Sequence, residues 1–289
     1  MTIRLLDGLA PLADAYDGFI VDLWGCLHDG AKPLPGTVDC LTRLKAAGKR
    51  VVLLSNAPRP AAPAIARLTE IGFARELYQD LMTSGEETWR HLVRRDDPWY
   101  AALGLRCYMI GPPRDLGMLK DVAVERVYDI EAADFILNTG ADFGDTVEKF
   151  EPLLRAAHAR RLKMICANPD LEVLMRGQRE ICAGALAERY EALGGEVRYH
   201  GKPFPSVYHE VFALMGNPPK GRLCGIGDSL RTDVAGARGV GIDSILITGG
   251  IHAETLGAAP GAQPESDRLA ALCAKIGVRP TVAMPGLRW

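Results

Sequence analysis

The polar residues that close the apolar runs of this chain are the ones with chemistry to offer. In FIVDLWGCLHDG a run ends on a lone carboxylate, Asp22, and in VVLLSN another ends on Ser55 and Asn56. LCGI ends in Gly227-Asp228, with Asp233 five residues after Asp228 in GDSLRTD. Lys202 stands between Gly and Pro in HGKPFPSVY. Asp22 and Asp228, brought together from different strands, make a hard oxygen site suited to Mg²⁺, which takes a few carboxylates and shares phosphate oxygens. Asp233 is placed to return as an inner or outer partner. Ser55 and Asn56 precede a helical segment, whose first amides and dipole attract anions, and a Lys serves as a point charge for phosphate. Carboxylates, a divalent cation, a hydroxyl and a Lys together describe phosphoryl transfer by positioning and charge neutralisation.

Each signal has an ordinary counterpart. An Asp after an apolar run also makes a turn or a helix cap, and Gly-Asp-Ser before a helix is a common cap. Gly-Lys-Pro alone means little. Capping does not account for the whole set at successive run ends, so the set is read as functional.

The elements that must carry these residues are short β-branched runs alternating with helical patterns. Strands are expected at Phe19–Val21, Val51–Leu54, Cys107–Ile110, Phe135–Leu137, Met164–Cys166, Leu223–Ile226 and Ser244–Ile247. Helical spacing covers Thr37–Ala47, Pro60–Ile71, Leu153–Arg161 and Ser206–Met215. Such alternation implies βαβ units and a parallel sheet. Strands apolar on both faces agree, because helices then cover the sheet on each side. In an open parallel sheet the ligand sits outside the carboxyl ends of the strands, where these polar residues fall.

The expected fold class is α/β: a doubly wound parallel-sheet core with a second α/β unit inserted. The core is assigned to residues 1–81 and 199–289 and the insert to residues 82–198. Within the insert FILNTGADFG and MICANPDLEV resemble each other loosely. The apolar tail VRPTVAMPGLRW is expected to pack on the body.

The bulk numbers fit this picture. With 289 residues, 48% hydrophobic and 24% charged, the chain has the make-up of a globular protein with room for two cores. A net charge of −2 and a pI near 6.3 give no electrostatic reason to expect nucleic acid or an anionic membrane as partner. No apolar run reaches the roughly 18 residues of a membrane helix. The beginning, MTIRLLDGLAPLADAYDG, does not read as a signal peptide. Seven scattered cysteines without a C-x-x-C pair fit reduced thiols and a cytoplasmic location, and argue against a Cys-ligated metal. CGIGDSLRTD lacks the third Gly of a dinucleotide loop, and an Asp where pyrophosphate would approach argues against one.

In their order along the chain the motifs resemble the haloacid dehalogenase-like hydrolase superfamily. Its first motif, Asp-x-Asp-Gly-Thr/Val, corresponds to Asp22-Leu23-Trp24-Gly25-Cys26, its second to Ser55, its third to Lys202 and its fourth to Gly227–Asp233. The long insert between the second and third motifs resembles the type II cap. HDG, SNA, TSGE, NPD, GKP and GDSLRTDVAGA are similar to the type IIA, NagD-like branch that includes 4-nitrophenylphosphatases. The resemblance implies that Asp22 attacks phosphorus to form an aspartyl phosphate, which water hydrolyses. It implies Mg²⁺ held by Asp22, the Trp24 backbone carbonyl and Asp228, with Asp233 supporting. Ser55, Asn56 and Lys202 would face the phosphoryl group, with Trp24 beside it. The partner implied is a small phosphorylated metabolite, and caps of this branch often pair two copies.

Trp24 departs from the pattern. Most phosphatases of the family carry there a second Asp that protonates the leaving alkoxide. An indole N–H does not titrate usefully, and the lost role is typically worth about 10²–10⁴-fold. Three readings follow: slow turnover, or substrates whose leaving group needs no proton; another acid, with His28 the best placed by sequence although a structural or hinge role is the preferred reading of it; or a metal and phosphate site kept for binding alone. Trp24 would otherwise cover the floor of the site and exclude water. In the insert Asn168-Pro169-Asp170 matches the branch, and Glu86, Asp142 and Arg176 could face the substrate or only water, with solvated surface the preferred reading.

Overall fold

A computed structural model of the chain describes residues 3–175 and 178–289, so Arg176 lies outside the described residues. The chain divides into two compact units. One comprises Met1–Ser55, Ala62–Met82 and Lys202–Trp289, the other Asn56–Ala61 and Thr83–Gly201. The strands in chain order are β1 (Arg4–Leu5), β2 (Gly18–Val21), β3 (Arg50–Ser55), β4 (Asp80–Thr83), β5 (Arg106–Ile110), β6 (Glu125–Val127), β7 (Phe135–Asn138), β8 (Lys163–Cys166), β9 (Glu172–Met175), β10 (Gln178–Ile181), β11 (Glu196–Tyr199), β12 (Leu223–Gly227), β13 (Asp243–Ile247) and β14 (Val282–Met284).

The first unit carries a sheet in the order β1-β14-β13-β12-β2-β3-β4. From β1 to β3 the pairs run parallel. The chain builds outward from β2 in both directions, through β3 on one side and β12 on the other, so a topological switch point lies at β2 and β12. Ligands of open α/β sheets bind outside the strand ends at such a point. Asp22 and Asp228 each follow one of these strands. The apolar tail supplies β14, which pairs with β13 and β1.

Both faces of this sheet are buried. Ile20, Val52, Leu54 and Leu223 pack with Val207, Tyr208, Val211 and Phe212 of the helix Pro205–Leu214. On the same face, since Leu246 registers with Gly227 and Ala283 with Leu246, these two pack with Leu269, Leu272 and Cys273 of the helix Ser266–Ile276, while Phe19, Val21, Val51, Leu53 and Ile226 on the opposite face are buried as well. Each such buried Val, Leu, Ile or Phe contributes about 1.5–3 kcal/mol. The helix Thr37–Ala46 shows why a local sequence adopts its element. It starts after Gly36 at φ 86°, has Asp39 in its first turn and Arg43 and Lys45 in its last, and buries Cys40, Leu41 and Leu44 on one side.

The second unit has its own parallel sheet, β11-β8-β7-β5-β6, and a β9–β10 antiparallel hairpin. Its strands bury both faces alternately. Ile136, Met164 and Cys166 face one cluster, and Phe135, Leu137 and Ile165 face the other. The loosely similar pieces of sequence prove to be the neighbours β7 and β8 with their following turns. In each, the Asn side chain accepts from the amide two residues on, Gly140 N to Asn138 Oδ1 (3.1 Å) and Asp170 N to Asn168 Oδ1 (2.9 Å). The helix expected at Leu153–Arg161 in fact spans Val147–Ala159 and includes Pro152. Glu86 departs from the solvated role expected of it. It belongs to the cap of the helix Ser84–Arg94, where Thr83 Oγ1 accepts its amide (2.8 Å) and its carboxylate accepts from Ala61 N (3.1 Å) and Arg90 Nε (3.1 Å). Asp142 is exposed, as expected.

Candidate active site

Asp22, Asp228 and Asp233 come together at the switch point, all three buried, with one carboxylate oxygen from each lying within 4.8 Å of the others. Lys202 joins them, its Nζ 2.5 Å from Asp22 Oδ1 and 2.6 Å from Asp233 Oδ1. Asp22 continues the ladder of β2 by donating its amide to Ile226 O (2.8 Å). Asp233 reaches back through a wide turn, Leu230–Val234, in which Val234 N bonds to Ser229 O (3.1 Å). Such π-type turns recur at functional sites. The turn is capped by Ser229 Oγ on Thr232 N (3.3 Å), and Asp233 Oδ2 accepts from Ser229 N (3.1 Å).

Three glycines make room for the carboxylates. A Cβ on Gly25 or Gly250 would stand 2.2 Å or 2.1 Å from Asp228 Oδ2, and one on Gly227 would stand 2.1 Å from the Asp233 carboxyl carbon. Gly25 also lies at φ +74°, a conformation other residues rarely adopt. Beside Gly250, Ile251 N donates to Asp228 Oδ2 (2.7 Å). His252 accepts from Leu230 N through Nε2 (3.2 Å), which ties this loop to the turn that carries Asp233. Sequence reasoning passed over Gly250 and His252, and named Gly25 only as part of the first motif. The one available signal was the Gly-Gly pair closing the run SILIT.

Burial sets the electrostatics. It pushes the Asp22 carboxyl up to about 7, with Lys202 pulling it down and Asp233 adding to the rise. Burial, then Asp22 and Asp233, raise Asp228 well above the carboxylate range. At Lys202 burial disfavours the charge, but Asp22 and Asp233 outweigh it and hold the ammonium well above its ordinary value. With all groups ionised, three carboxylates against one ammonium leave two negative charges, which a divalent cation cancels. The donor set is hard oxygen throughout, so the residues present fit Mg²⁺ or a similar ion.

The other residues singled out by sequence fall as follows. Ser55 ends β3, which pairs with the Asp22 strand through Leu53 and Val21. Asn56 belongs to the second unit, where its Nδ2 donates to Asp170 Oδ1 (2.9 Å). The Trp24 side chain is 41% exposed. It lies across Gly30, whose added Cβ would stand 2.4 Å from the Trp24 ring, and edge-on to His28 at 5.8 Å between ring centroids. His28 is a hub of this loop: its carbonyl accepts from Gly25 N (3.0 Å), its amide donates to Leu23 O (3.1 Å), and its Nδ1 accepts from Gly30 N (3.0 Å). Burial holds its pKa below the ordinary value, so the imidazole is neutral, with the proton on Nε2. Cys26 is fully buried.

Strand ends, carboxylates, lysine and switch point together define a phosphoryl-transfer type of α/β site, and comparison with known proteins agrees. The sequence profile of haloacid dehalogenase-like hydrolases matches residues 19–125, and an HAD-hydrolase-like profile matches residues 199–271. A crystal structure of a haloacid dehalogenase-like family hydrolase from Brucella suis 1330 is 31% identical, covering 98% of this chain and 100% of that one with a TM-score of 0.81. The D-glycerol 3-phosphate phosphatase of Mycobacterium tuberculosis is 24% identical over 84% of this chain and 66% of its own length. The ribonucleotide monophosphatase NagD of Escherichia coli is 25% identical over 80% of this chain and 87% of its own. The chain belongs to the haloacid dehalogenase-like hydrolase family, in its NagD-like branch.

Proposed function

We propose that the chain is a Mg²⁺-dependent phosphomonoester hydrolase acting through Asp22 on a small organic phosphate, with the inserted unit as its cap. The observation that carries this is the buried set Asp22, Asp228, Asp233 and Lys202 at the switch point. The names of the mycobacterial and NagD relatives, which differ in substrate but share phosphate-ester hydrolysis, support the reaction class. Seven buried free thiols fit a reducing compartment.

Asp22, the backbone carbonyl of Trp24 and Asp228 would hold the ion, with Asp233 behind them. The ion supplies charge neutralisation at the phosphoryl oxygens. The Asp22 carboxylate is the nucleophile: its oxygen bonds to phosphorus as the bond to the leaving oxygen breaks, and water then releases phosphate and restores the carboxylate. Lys202 and the Ser55 hydroxyl orient the transferring group. Lys202 also balances Asp22 and Asp233 between turnovers.

No acid stands at position 24. Trp24 rests on Gly30 and His28, and the neutral His28 is engaged in the same loop. The leaving oxygen therefore departs without a proton from position 24, which favours acidic leaving groups such as aryl esters over alkyl esters.

The test is phosphate release from aryl and alkyl phosphates with Mg²⁺ or EDTA, comparing wild type, Asp22→Asn and Trp24→Asp. The expected result is aryl ester hydrolysis by wild type, abolished by EDTA and by Asp22→Asn, with alkyl hydrolysis gained in Trp24→Asp. A wild type inert on every ester while binding Mg²⁺ and phosphate would replace the hydrolase reading with a phosphate-binding one.

A further inference from the structure

The second unit holds another group of ligand-type side chains, apart from the carboxylates of the first. Glu87 and His91 are four residues apart on the helix Ser84–Arg94 and so share a face. His200 follows β11. One ligand atom from each of the three lies within 4.8 Å of the others. Glu87 and His200 are 0% and 2% exposed, and His91 is half-buried. Tyr100 lies against them: its hydroxyl hydrogen-bonds His200 Nε2, and its ring stacks on His91 at 5.2 Å.

We propose that Glu87, His91 and His200 form a binding site for a transition-metal cation, Zn²⁺ foremost, within the inserted unit. Two imidazoles and a carboxylate are zinc's own donor types and suit it better than Mg²⁺. His200 Nδ1 stands 3.2 Å from Glu87 Oε1. Donors each about 2.0–2.1 Å from one tetrahedral ion stand roughly 3.3 Å apart, a separation this pair matches. The remaining groups do what a ligating shell requires. Tyr100 fixes the far nitrogen of His200, and Gly201 N donates to Glu87 Oε2 (2.8 Å), which holds the carboxylate while its other oxygen faces His200. Three protein donors would leave a fourth position for water. A hydrogen-bonded Glu–His–Tyr cluster with no ion is the rival description.

The metal-free full-length protein, held in excess Mg²⁺ to fill the carboxylate site, is titrated with Co²⁺ and then Zn²⁺ by visible absorption and calorimetry. The expected result is one equivalent of Co²⁺ with the strong visible bands of a four-coordinate, nitrogen-containing site, displaced by one equivalent of Zn²⁺. His91→Gln and His200→Gln lose that equivalent, Tyr100→Phe weakens it by about 10–100-fold, and Asp228→Asn keeps it. Absence of such an equivalent in wild type overturns the proposal whether or not the variants fold. So does its persistence in both His variants.

Discussion

Lys202 Nζ lies 2.5 Å from Asp22 Oδ1, both groups buried, and the same ammonium meets Asp233 at 2.6 Å. Breaking such a buried pair from one side leaves carboxylates close together without their cation, which typically costs about 3–5 kcal/mol. Lys202→Met is expected to lower the melting temperature in EDTA, with part of the loss restored by Mg²⁺, and to reduce phosphate release at least about 10²-fold. Thermal unfolding with and without Mg²⁺, beside the activity assay, measures both. Lys202→Arg is expected to fail as a rescue, because a planar fork does not replace a point charge between two carboxylates. Equal stability of Lys202→Met and wild type in EDTA would refute the account.

Much of this site was legible because its side chains stand where a continuous apolar run stops. Asp22 and Asp228 each follow, and Ser55 ends, a strand whose β-branched or aliphatic residues mark it, and Asp233 follows at turn distance. What stayed hidden depends on contacts distant in sequence. That Gly250 gives Asp228 its space is set where β13 and β12 end side by side, and no local pattern encodes that. The short strands β1, β6 and β10 carry too few apolar residues to signal. Pro152 masked the first turns of the helix Val147–Ala159, since proline usually stands at a helix start rather than inside it. Glu87, His91 and His200 were overlooked because the third lies more than a hundred residues from the first two.

Trp24 and Gly30 form one contact, and it explains the Trp as a packing residue of the loop. An alanine at position 30 meets both a φ of +89° and the Trp24 ring at 2.4 Å from its Cβ. Gly30→Ala is expected to destabilise by about 1–3 kcal/mol. The same change in a Trp24→Ala background costs less, because only the backbone strain remains. A double-mutant cycle by urea unfolding reads the difference as a coupling energy; strict additivity would mean that the ring does not press on Gly30.

His28 holds this loop through its main chain and Nδ1. An Asn carbonyl oxygen can accept the Gly30 amide in place of Nδ1. His28→Asn is therefore expected to keep aryl phosphate hydrolysis within a few-fold of wild type while lowering stability by about 1 kcal/mol. A loss of 10²-fold or more in the turnover number, with an unchanged melting temperature, would instead assign His28 the missing acid role.

In the second unit Glu151 is gripped by Arg189, Nε to Oε2 at 2.7 Å and NH2 to Oε1 at 2.6 Å. That hydrogen bonding brings its carboxyl down from 4.5 to about 2. The folded state thus binds fewer protons than the unfolded one between these values. The contribution to stability is complete above about 4.5 and is lost as the pH falls through about 2. A carbon-detected NMR titration of the Glu151 carboxyl is expected to show the low midpoint, moved up toward 4.5 in Arg189→Gln. The group is partly open to solvent, so high salt reduces the shift. A wild-type midpoint near 4.5 would dismiss the pairing.

Gly250 offers the sharpest separation of site geometry from stability. Its Cα lies against Asp228, so a methyl group there would fall 2.1 Å from Oδ2, the oxygen that also accepts from Ile251 N. Gly250→Ala must displace either the carboxylate or the loop, and a shift of about 1 Å in a positioned group costs on the order of 10²-fold in rate. Gly239 is the control: it lies exposed in the helix Ala235–Val240 with nothing within 4 Å of an added Cβ. Gly239→Ala is expected to leave phosphate release unchanged and to stabilise by about 0.4–1 kcal/mol, through the smaller entropy of its unfolded chain. Gly250→Ala is expected to lose Mg²⁺-dependent release and Mg²⁺ affinity together, both read against wild type by activity and calorimetric titration. Full activity in Gly250→Ala would mean that Asp228 is not held in its working position by this loop.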